Sequence, residues 1–296
     1  MPRDFPIPTT PESAAHIAAW VDAPGEGAPV KPAATVMLVR DGACGVEVFM
    51  QRRVASMAFA PRRAVFPGGS VDPGDHEVLP WHGPEPAVWA KALRLPEGEA
   101  VAVIAAAIRE LFEEAGVLLA SERPAGDDLT SASTTYVTAD RLHPVSSHLT
   151  SASRGYEAPR VDAWRGELER REVTLAGLLR REGLVARADL LGYHARWITP
   201  AIEPRRYDTH FFTALLPAGQ RADDRTTEAE SADWVVPQAI LAEPGNRLMP
   251  PTIACLDDLG AAASAAEFVC LRHNAPVIAP VPVRHGDGWA MRAEEL

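Results

Sequence analysis

Residues 101–117, VAVIAAAIRELFEEAGV, decide the fold, because their apolar and acidic side chains follow the period of an α-helix. At about 100° per residue, six apolar residues fall on one face, which predicts that this face packs on a core: Val101, Ile104, Ala105, Ile108, Phe112 and Ala115. Gly116 is the residue type at which such a helix commonly ends. The sequence therefore predicts a helix over 99–115 with one buried side.

Three carboxylates, those of Glu110, Glu113 and Glu114, share the opposite face of this helix. Like charges at these spacings destabilise a helix by about 0.2–0.5 kcal/mol per pair, and the C-terminal end of a helix disfavours anions. One interpretation is an acidic face in solvent, which the helix alone favours. The other is a site where carboxylate oxygens bind Mg²⁺ or Mn²⁺ and leave positions for substrate phosphates.

The residues around the carboxylates favour the second interpretation. Arg109-Glu110-Leu111-Phe112-Glu113-Glu114-Ala115-Gly116-Val117 resembles the second half of the Nudix box, R-E-U-x-E-E-x-G-U with U apolar. Upstream, Phe66-Pro67-Gly68-Gly69 resembles the strand-to-loop entry of the same box. The resemblance implies a Nudix α/β/α sandwich with a mixed β-sheet and hydrolysis of a nucleoside diphosphate linked to another group.

The spacing between the two halves departs from the family pattern. Gly69 precedes Arg109 by 40 residues, far more than the box has, so a long insertion lies inside it. Counting back from Arg109 places the first glutamate of the box at Val101, and counting forward from Gly69 places it at Asp75. The sequence thus lacks this glutamate, and the insertion, with Trp81 and Trp89, is expected to pack as a lid or a subunit contact.

The resemblance also implies roles for individual residues. Its metal ligands, for Mg²⁺ or Mn²⁺, would be Glu110, Glu113, Glu114 and the Gly68 carbonyl, with Arg109 orienting the carboxylates by ion pairs. A later glutamate often completes such sites, here Glu230 as a catalytic group or Glu228 as a ligand. The general base would be one of the box glutamates or this later one.

Arginines near the box are candidates for the substrate. Arg53 lies 13 residues before Phe66, the position of an arginine in the coenzyme A signature of CoA-cleaving Nudix enzymes, although the second arginine of that signature falls on Ala58. The predicted substrate-binding residues are Arg53, Arg63, Phe66, Gly69 and Arg206. Each arginine is also consistent with a solvated charge at a strand end.

Further phrases resemble the long-insert Nudix subgroup, which includes peroxisomal acyl-CoA diphosphatases: Arg196-Trp197-Ile198-Thr199-Pro200, Arg206-Tyr207-Asp208-Thr209 and Leu248-Met249-Pro250-Pro251-Thr252. The sequence therefore predicts Mg²⁺-dependent hydrolysis of CoA or acyl-CoA to 3′,5′-ADP and (acyl-)4′-phosphopantetheine. The alternatives are hydrolysis of ADP-ribose, NADH or a nucleotide sugar at the same site, and a non-catalytic nucleotide-binding scaffold. Because members of the family often dimerise, the resemblance also implies a possible homodimer.

Composition limits the other partners. The chain has 29 Lys and Arg residues against 40 Asp and Glu, a formal net charge of −11, which argues against a nucleic-acid polymer as partner. Its longest apolar run is the octet 101–108, which is too short for a membrane span. Three scattered cysteines and an N-terminus without signal-peptide features favour a cytoplasmic protein.

The sequence divides into three parts: an N-terminal tail at 1–32, a Nudix domain at 33–260 and a C-terminal extension at 261–296. The domain contains the insert at 73–100 and a Ser/Thr-rich flap at 121–160. Strands are predicted at 34–40, 46–52, 64–66, 195–202, 209–216 and 232–236. Besides the acidic helix, helices are predicted at 168–182 and 237–242, with another from Pro250 before a Pro-rich tail.

Overall fold

The computed structural model describes residues 3–54, 63–122, 158–226, 229–243, 248–270 and 274–295. Its central element is a mixed sheet in the order β11-β3-β2-β10-β9-β12, with β5 paired to β2 and β4 to β3. Strands β2 and β10 are parallel, whereas β2 with β3 and β10 with β9 are antiparallel. The strands of this sheet are β2 (Val30–Gly42), β3 (Gly45–Arg53), β4 (Ala64–Val65), β5 (Gly68–Ser70), β9 (Leu191–Ile198), β10 (Arg206–Leu215), β11 (Ala229–Val235) and β12 (Val277–Ile278).

Two smaller sheets flank the central one. The first has the order β1-β14-β13 and joins the two ends of the described chain, and the second has the order β6-β8-β7. Their strands are β1 (Arg3–Ile7), β6 (Trp81–His82), β7 (Ala120–Glu122), β8 (Leu184–Arg187), β13 (Val281–His285) and β14 (Gly288–Ala293). The helices are α1 (Pro11–Asp22), α2 (Pro86–Leu93), α3 (Glu97–Ala115), α4 (Ala158–Glu169), α5 (Leu175–Glu182), α6 (Pro237–Ala242), α7 (Pro250–Gly260) and α8 (Ala265–Phe268).

Alternation of side chains along β2 separates two hydrophobic cores. Val36 and Leu38 are fully buried against a cluster that contains α3, whereas Met37 and Val39 are fully buried against α7 and α8. Successive side chains of a strand point to opposite faces of the sheet, so helices cover both faces. This arrangement confirms the predicted α/β/α sandwich with a mixed sheet. None of the described helices combines the length and apolar character that crossing a bilayer requires.

The structure corrects several predictions at the level of secondary structure. The segment 1–32, predicted as a tail, contains β1, α1 and the start of β2, and the C-terminal segment contains three strands. The helix predicted at 168–182 is two helices, α4 and α5, with a turn between them. Within the insert, Trp89 is fully buried, with its ring 6.0 Å from that of Phe212, so it belongs to the core and not to a lid. Most of the predicted flap, residues 123–157, lies outside the described residues.

Candidate active site

The acidic helix α3 reaches the site by packing its apolar face on the sheet. Ile104, Ile108 and Phe112 are fully buried, and the helix ends at Gly116, which adopts a positive φ of 70°. The helix begins at Glu97 and ends as the sequence predicts. Its last two turns therefore present the carboxylates beside strand β5.

Arg109 organises these turns, because each of its five N–H groups has an acceptor. Nε and Nη2 donate to the two carboxylate oxygens of Asp75, both at 2.9 Å. Nη1 donates to Glu110 at 2.8 Å and to Glu113 at 3.0 Å, and Nη2 also donates to the Ser70 carbonyl at 3.0 Å. The guanidinium is buried and satisfied, so it fixes the positions of three carboxylates at once.

Asp75 supplies the acidic group that the sequence analysis considered missing. It lies in a 3₁₀ turn at Pro73–His76, is only 2% exposed, and accepts a hydrogen bond from the Asp72 N–H at 2.8 Å. Counting forward from Gly69 was therefore the correct count, and Val101 has no part in the site. A shorter carboxylate replaces the glutamate of the box and makes a two-point contact with Arg109.

The two glycines of strand β5 lie close to other atoms, backbone in the case of Gly68 and the end of a side chain in the case of Gly69. A Cβ on Gly68 would lie 2.4 Å from the Ala34 carbonyl oxygen, and a Cβ on Gly69 would lie 2.3 Å from a carboxylate oxygen of Glu110. Real Cβ atoms essentially never approach other atoms so closely. The Gly-Gly pair thus lets the strand lie between β2 and the acidic face of α3.

Glu114 joins the helix to this strand. Its Oε2 accepts hydrogen bonds from the Gly68 N–H at 2.8 Å and from the side-chain amide of Gln51 at 3.2 Å. Both Glu114 and Gln51 are buried. Gln51 was not singled out from the sequence, although a polar residue within the apolar run of β3 was a signal for it.

Around Arg109 the carboxylates outnumber the guanidinium, because Asp75, Glu110 and Glu113 all accept hydrogen bonds from it. Burial opposes the charged form of Arg109, yet its contacts with Asp75, Glu110 and Glu113 raise its pKa above the ordinary value. Burial also raises the pKa of Glu113, although Arg109 opposes that shift. Because negative charge exceeds positive charge in this partly buried region, a cation would bind there favourably.

The carboxylates of α3 and the Gly68 carbonyl offer only oxygen atoms, and these are the ligands that hard divalent ions prefer. Within the described ranges, no three side chains of His, Cys, Asp or Glu already surround one point as ligands. Glu110 and Glu113 instead turn to Arg109. The oxygens in contact with Arg109 are Oε1 of Glu110 and Oε2 of Glu113.

A cleft of about 1740 Å³ opens beside the carboxylates. Four of the five residues predicted to bind substrate line it, namely Arg53, Arg63, Phe66 and Gly69. Phe66 is also 3% exposed and packs in the core. The cleft therefore brings acidic and basic groups to one surface.

Arg206, the fifth residue predicted to bind substrate, lies apart from the other four. It is not among the described residues that line the cleft, and its guanidinium donates to the carbonyls of Thr199 at 3.1 Å and Ala28 at 2.9 Å. Its neighbour Arg205 lines the cleft instead. Arg206 thus holds the β9–β10 turn against the segment that leads into β2.

The structure describes one of the two later glutamates, Glu230. Glu230 is exposed on β11, beside an irregular register opposite Arg52 and Arg53, and is not among the described residues of the cleft wall. Its predicted catalytic role is therefore not supported by its place. Glu228 lies outside the described residues, and Thr226, which precedes it, lines the cleft.

A sandwich in which an arginine-centred acidic helix meets a Gly-Gly strand at a large cleft is the architecture of Nudix proteins. The family model described as the NUDT19 Nudix domain matches residues 85–251, which is more than half of the chain. The chain belongs to this family, and the resemblance drawn from the box is confirmed.

The chain is similar to a curated protein and to a solved structure. It is 26% identical over 224 residues to the acyl-coenzyme A diphosphatase NUDT19 of Xenopus laevis, a match that covers 67% of this chain and 54% of that protein. The chain thus spans about half the length of this curated relative. A Nudix hydrolase structure from Alicyclobacillus acidocaldarius covers 80% of this chain and 94% of its own, with 24% identity and a TM-score of 0.59, which supports the fold.

Proposed function

We propose that this chain hydrolyses the diphosphate of CoA or acyl-CoA and releases 3′,5′-ADP and (acyl-)4′-phosphopantetheine. The observation that carries the proposal is the cluster of carboxylates around Arg109, which borders a cleft that basic residues also line. A diphosphate concentrates negative charge, so its hydrolysis needs positive groups around it and ordered reacting atoms.

The metal ligands we propose are Glu110, Glu113, Glu114 and the Gly68 carbonyl, for Mg²⁺ or Mn²⁺. Nudix hydrolases generally use divalent metals, and these four groups supply the oxygen donors that such ions prefer. When bound, a divalent ion neutralises charge on the diphosphate and activates water. The protein contributes the placement, because Arg109 and the backbone N–H of Gly68 hold the carboxylates next to β5.

The other residues of the cleft bind and orient the substrate in this proposal. Arg53 and Arg63 come from neighbouring backbone, since the Arg53 N–H donates to the Arg63 carbonyl at 3.1 Å, and both side chains border the cleft. Guanidinium groups suit phosphate oxygens because they offer parallel N–H donors. Phe66 and Gly69 also line the cleft, and Gly69 lies beside the carboxylate of Glu110. The general base in this proposal is one of the glutamates of α3 or Glu228.

The CoA part of the proposal has two supports. The name of the Xenopus relative, an acyl-coenzyme A diphosphatase, describes the chemistry of that protein. Arg53 occupies the arginine position of the partial CoA signature and lines the cleft. The family fold itself does not choose among nucleotide substrates, because specificity resides in residues outside the box.

The test is to incubate the protein with Mg²⁺ and a mixture of CoA, acetyl-CoA, ADP-ribose, NADH and a nucleotide sugar, and to resolve the products by mass. We expect 3′,5′-ADP to appear fastest, and Glu113→Gln to slow its release by about 10²-fold. Glu99→Gln is the matched control, since Glu99 is exposed in the first turn of the same helix. It should retain turnover.

Other outcomes would revise the proposal in different ways. Faster release of AMP from ADP-ribose or NADH would refute the CoA assignment and leave the hydrolase in place. The metal assignment would be refuted if no compound in the mixture were hydrolysed and if Mg²⁺ raised the melting temperatures of the unmodified protein and of Glu113→Gln equally.

Three expectations about partners and location stay predictions. These are the absence of a nucleic-acid polymer as partner, the homodimer and the cytoplasmic location. Sedimentation at micromolar concentration is the direct measurement of the second, and imaging of the tagged chain in its host tests the third.

A further inference from the structure

The turn between α4 and α5 contains an arginine in a backbone conformation that normally belongs to glycine. Arg171 has φ of 57°, and its N–H donates to the Leu168 carbonyl at 2.8 Å, while the Glu172 N–H donates to the Glu167 carbonyl at 2.9 Å. These two hydrogen bonds form a Schellman motif, which closes a helix most favourably with glycine at this position. A side chain here is strained, so the arginine needs another explanation.

The side chain of Arg171 extends over the cleft. It lines the cleft and is 77% exposed, and its Nη2 lies 3.1 Å from Asp72 Oδ2. Asp72 donates its N–H to Asp75, the partner of Arg109. The guanidinium of Arg171 is therefore on the side of the rim formed by the turn that holds Asp75, in an exposed ion pair that is weak enough to exchange for a phosphate.

The turn is fixed relative to the acidic helix by a second arginine. Arg165 of α4 is buried, and its Nε donates to the backbone carbonyl of Glu113 at 2.7 Å. Its Nη1 donates to Asp223 at 2.6 Å. Because α4 is bonded to the last turns of α3, the position of Arg171 is set with respect to the carboxylates.

We propose that Arg171 binds the scissile diphosphate of the substrate, an inference that rests on the proposed function. Its guanidinium adds to the basic groups of the cleft on the rim formed by the α4–α5 turn, whereas Arg53 and Arg63 come from the β3–β4 side. The guanidinium provides parallel donors for phosphate oxygens. In this proposal arginine stands at the strained position because glycine, which would relieve the strain, has no guanidinium to bind phosphate.

The chain contains a matched control for this proposal. Arg94 closes α2 in the same motif, with φ of 56° and hydrogen bonds from Arg94 N–H to Lys91 and from Leu95 N–H to Ala90. Arg94 is exposed, and it is not among the described residues that line the cleft. Arg94→Gly and Arg171→Gly therefore relieve the same strain, but only the second removes a group from the cleft.

The experiment compares melting temperature, CoA kinetics and ADP binding for the two variants and the unmodified protein. Both variants are expected to melt about 2 °C or more above the unmodified protein, since both lose a strained residue. Arg171→Gly alone should raise the KM for CoA about tenfold, with a smaller change in kcat. Calorimetry with ADP and Mg²⁺ should show the same loss of affinity without turnover.

Several results would overturn the inference. Equal KM and equal ADP affinity for the two variants would do so. A loss seen with CoA and absent with dephospho-CoA would assign Arg171 to the 3′-phosphate. An equal rise in KM for Asp72→Asn would show that Arg171 acts through Asp72. Because ADP binding needs no hydrolysis, it separates failure of this inference from failure of the proposed function.

Discussion

The contact between Asp75 and Arg109 is the part of the site whose loss has the clearest consequence. Asp75→Asn keeps the shape of the side chain and replaces one carboxylate oxygen by an amide nitrogen. The two N–H groups that Arg109 directs at Asp75 would then meet one acceptor and one donor in place of two acceptors. One N–H of a buried guanidinium would be left without an acceptor.

The burial of the pair sets the size of the effect. The side chain of Arg109 is 9% exposed and that of Asp75 is 1% exposed, so water does not replace the lost contact. Removing one partner of a buried ion pair costs about 3–5 kcal/mol. Arg109 keeps Glu110, Glu113 and the Ser70 carbonyl, which places the expected loss near the lower limit, at about 3 kcal/mol.

Urea unfolding followed by circular dichroism measures this loss as a change in the free energy of unfolding. The matched control is Asp257→Asn, because Asp257 pairs with Arg3 and both side chains are more than 40% exposed. The control should cost less than about 1 kcal/mol. If Asp75→Asn cost no more than Asp257→Asn, the pair would not be the anchor of the site and the reasoning from burial would be refuted.

Two further predictions concern packing and pH. Gly69→Ala should lower kcat about 10²-fold, because its Cβ would displace the Glu110 carboxylate, whereas Gly98→Ala, with no atom within 4 Å of the new Cβ, should keep turnover and stabilise α3 by about 0.5 kcal/mol. Burial lowers the pKa of His210 to about 4. The unfolded chain therefore takes up this proton below about pH 6.5 and the folded chain only near pH 4, so stability is lost as pH falls through this interval. At pH 4.5 the loss should be about 2.5 kcal/mol by urea unfolding, and His210→Asn should lack it; an equal loss in that variant would contradict the assignment.

The sequence was most informative where structure depends on neighbours along the chain. The helix α3, its buried stripe and its acidic face follow from a period of 3.6 residues, and Gly116 marks its end. These features could be predicted because each depends on residues within one or two turns of each other.

The remaining features depend on contacts that spacing does not reveal. Asp75 meets Arg109 across 34 residues of sequence, and the two motif counts, forward from Gly69 and back from Arg109, led to different residues. Arg205 and Arg206 are adjacent, and only the start of β10 decides which one lines the cleft. The positive φ of Arg171 has no signal in the sequence, because this backbone conformation is unusual for arginine.

The sheet β1-β14-β13 has a consequence for synthesis of the protein. Strand β1 pairs with β14 so that Asp4 lies opposite Arg292, and these side chains form a two-point ion pair across 288 residues. Strand β1 therefore has no partner in this sheet until β14, at the other end of the described chain, has been made. Closing a loop of this length is slow, so the sheet is expected to form after the sandwich. Until then the edge of β1 is exposed, and Phe5, whose ring lies 6.3 Å from that of Trp197 in the folded protein, is available to chaperones.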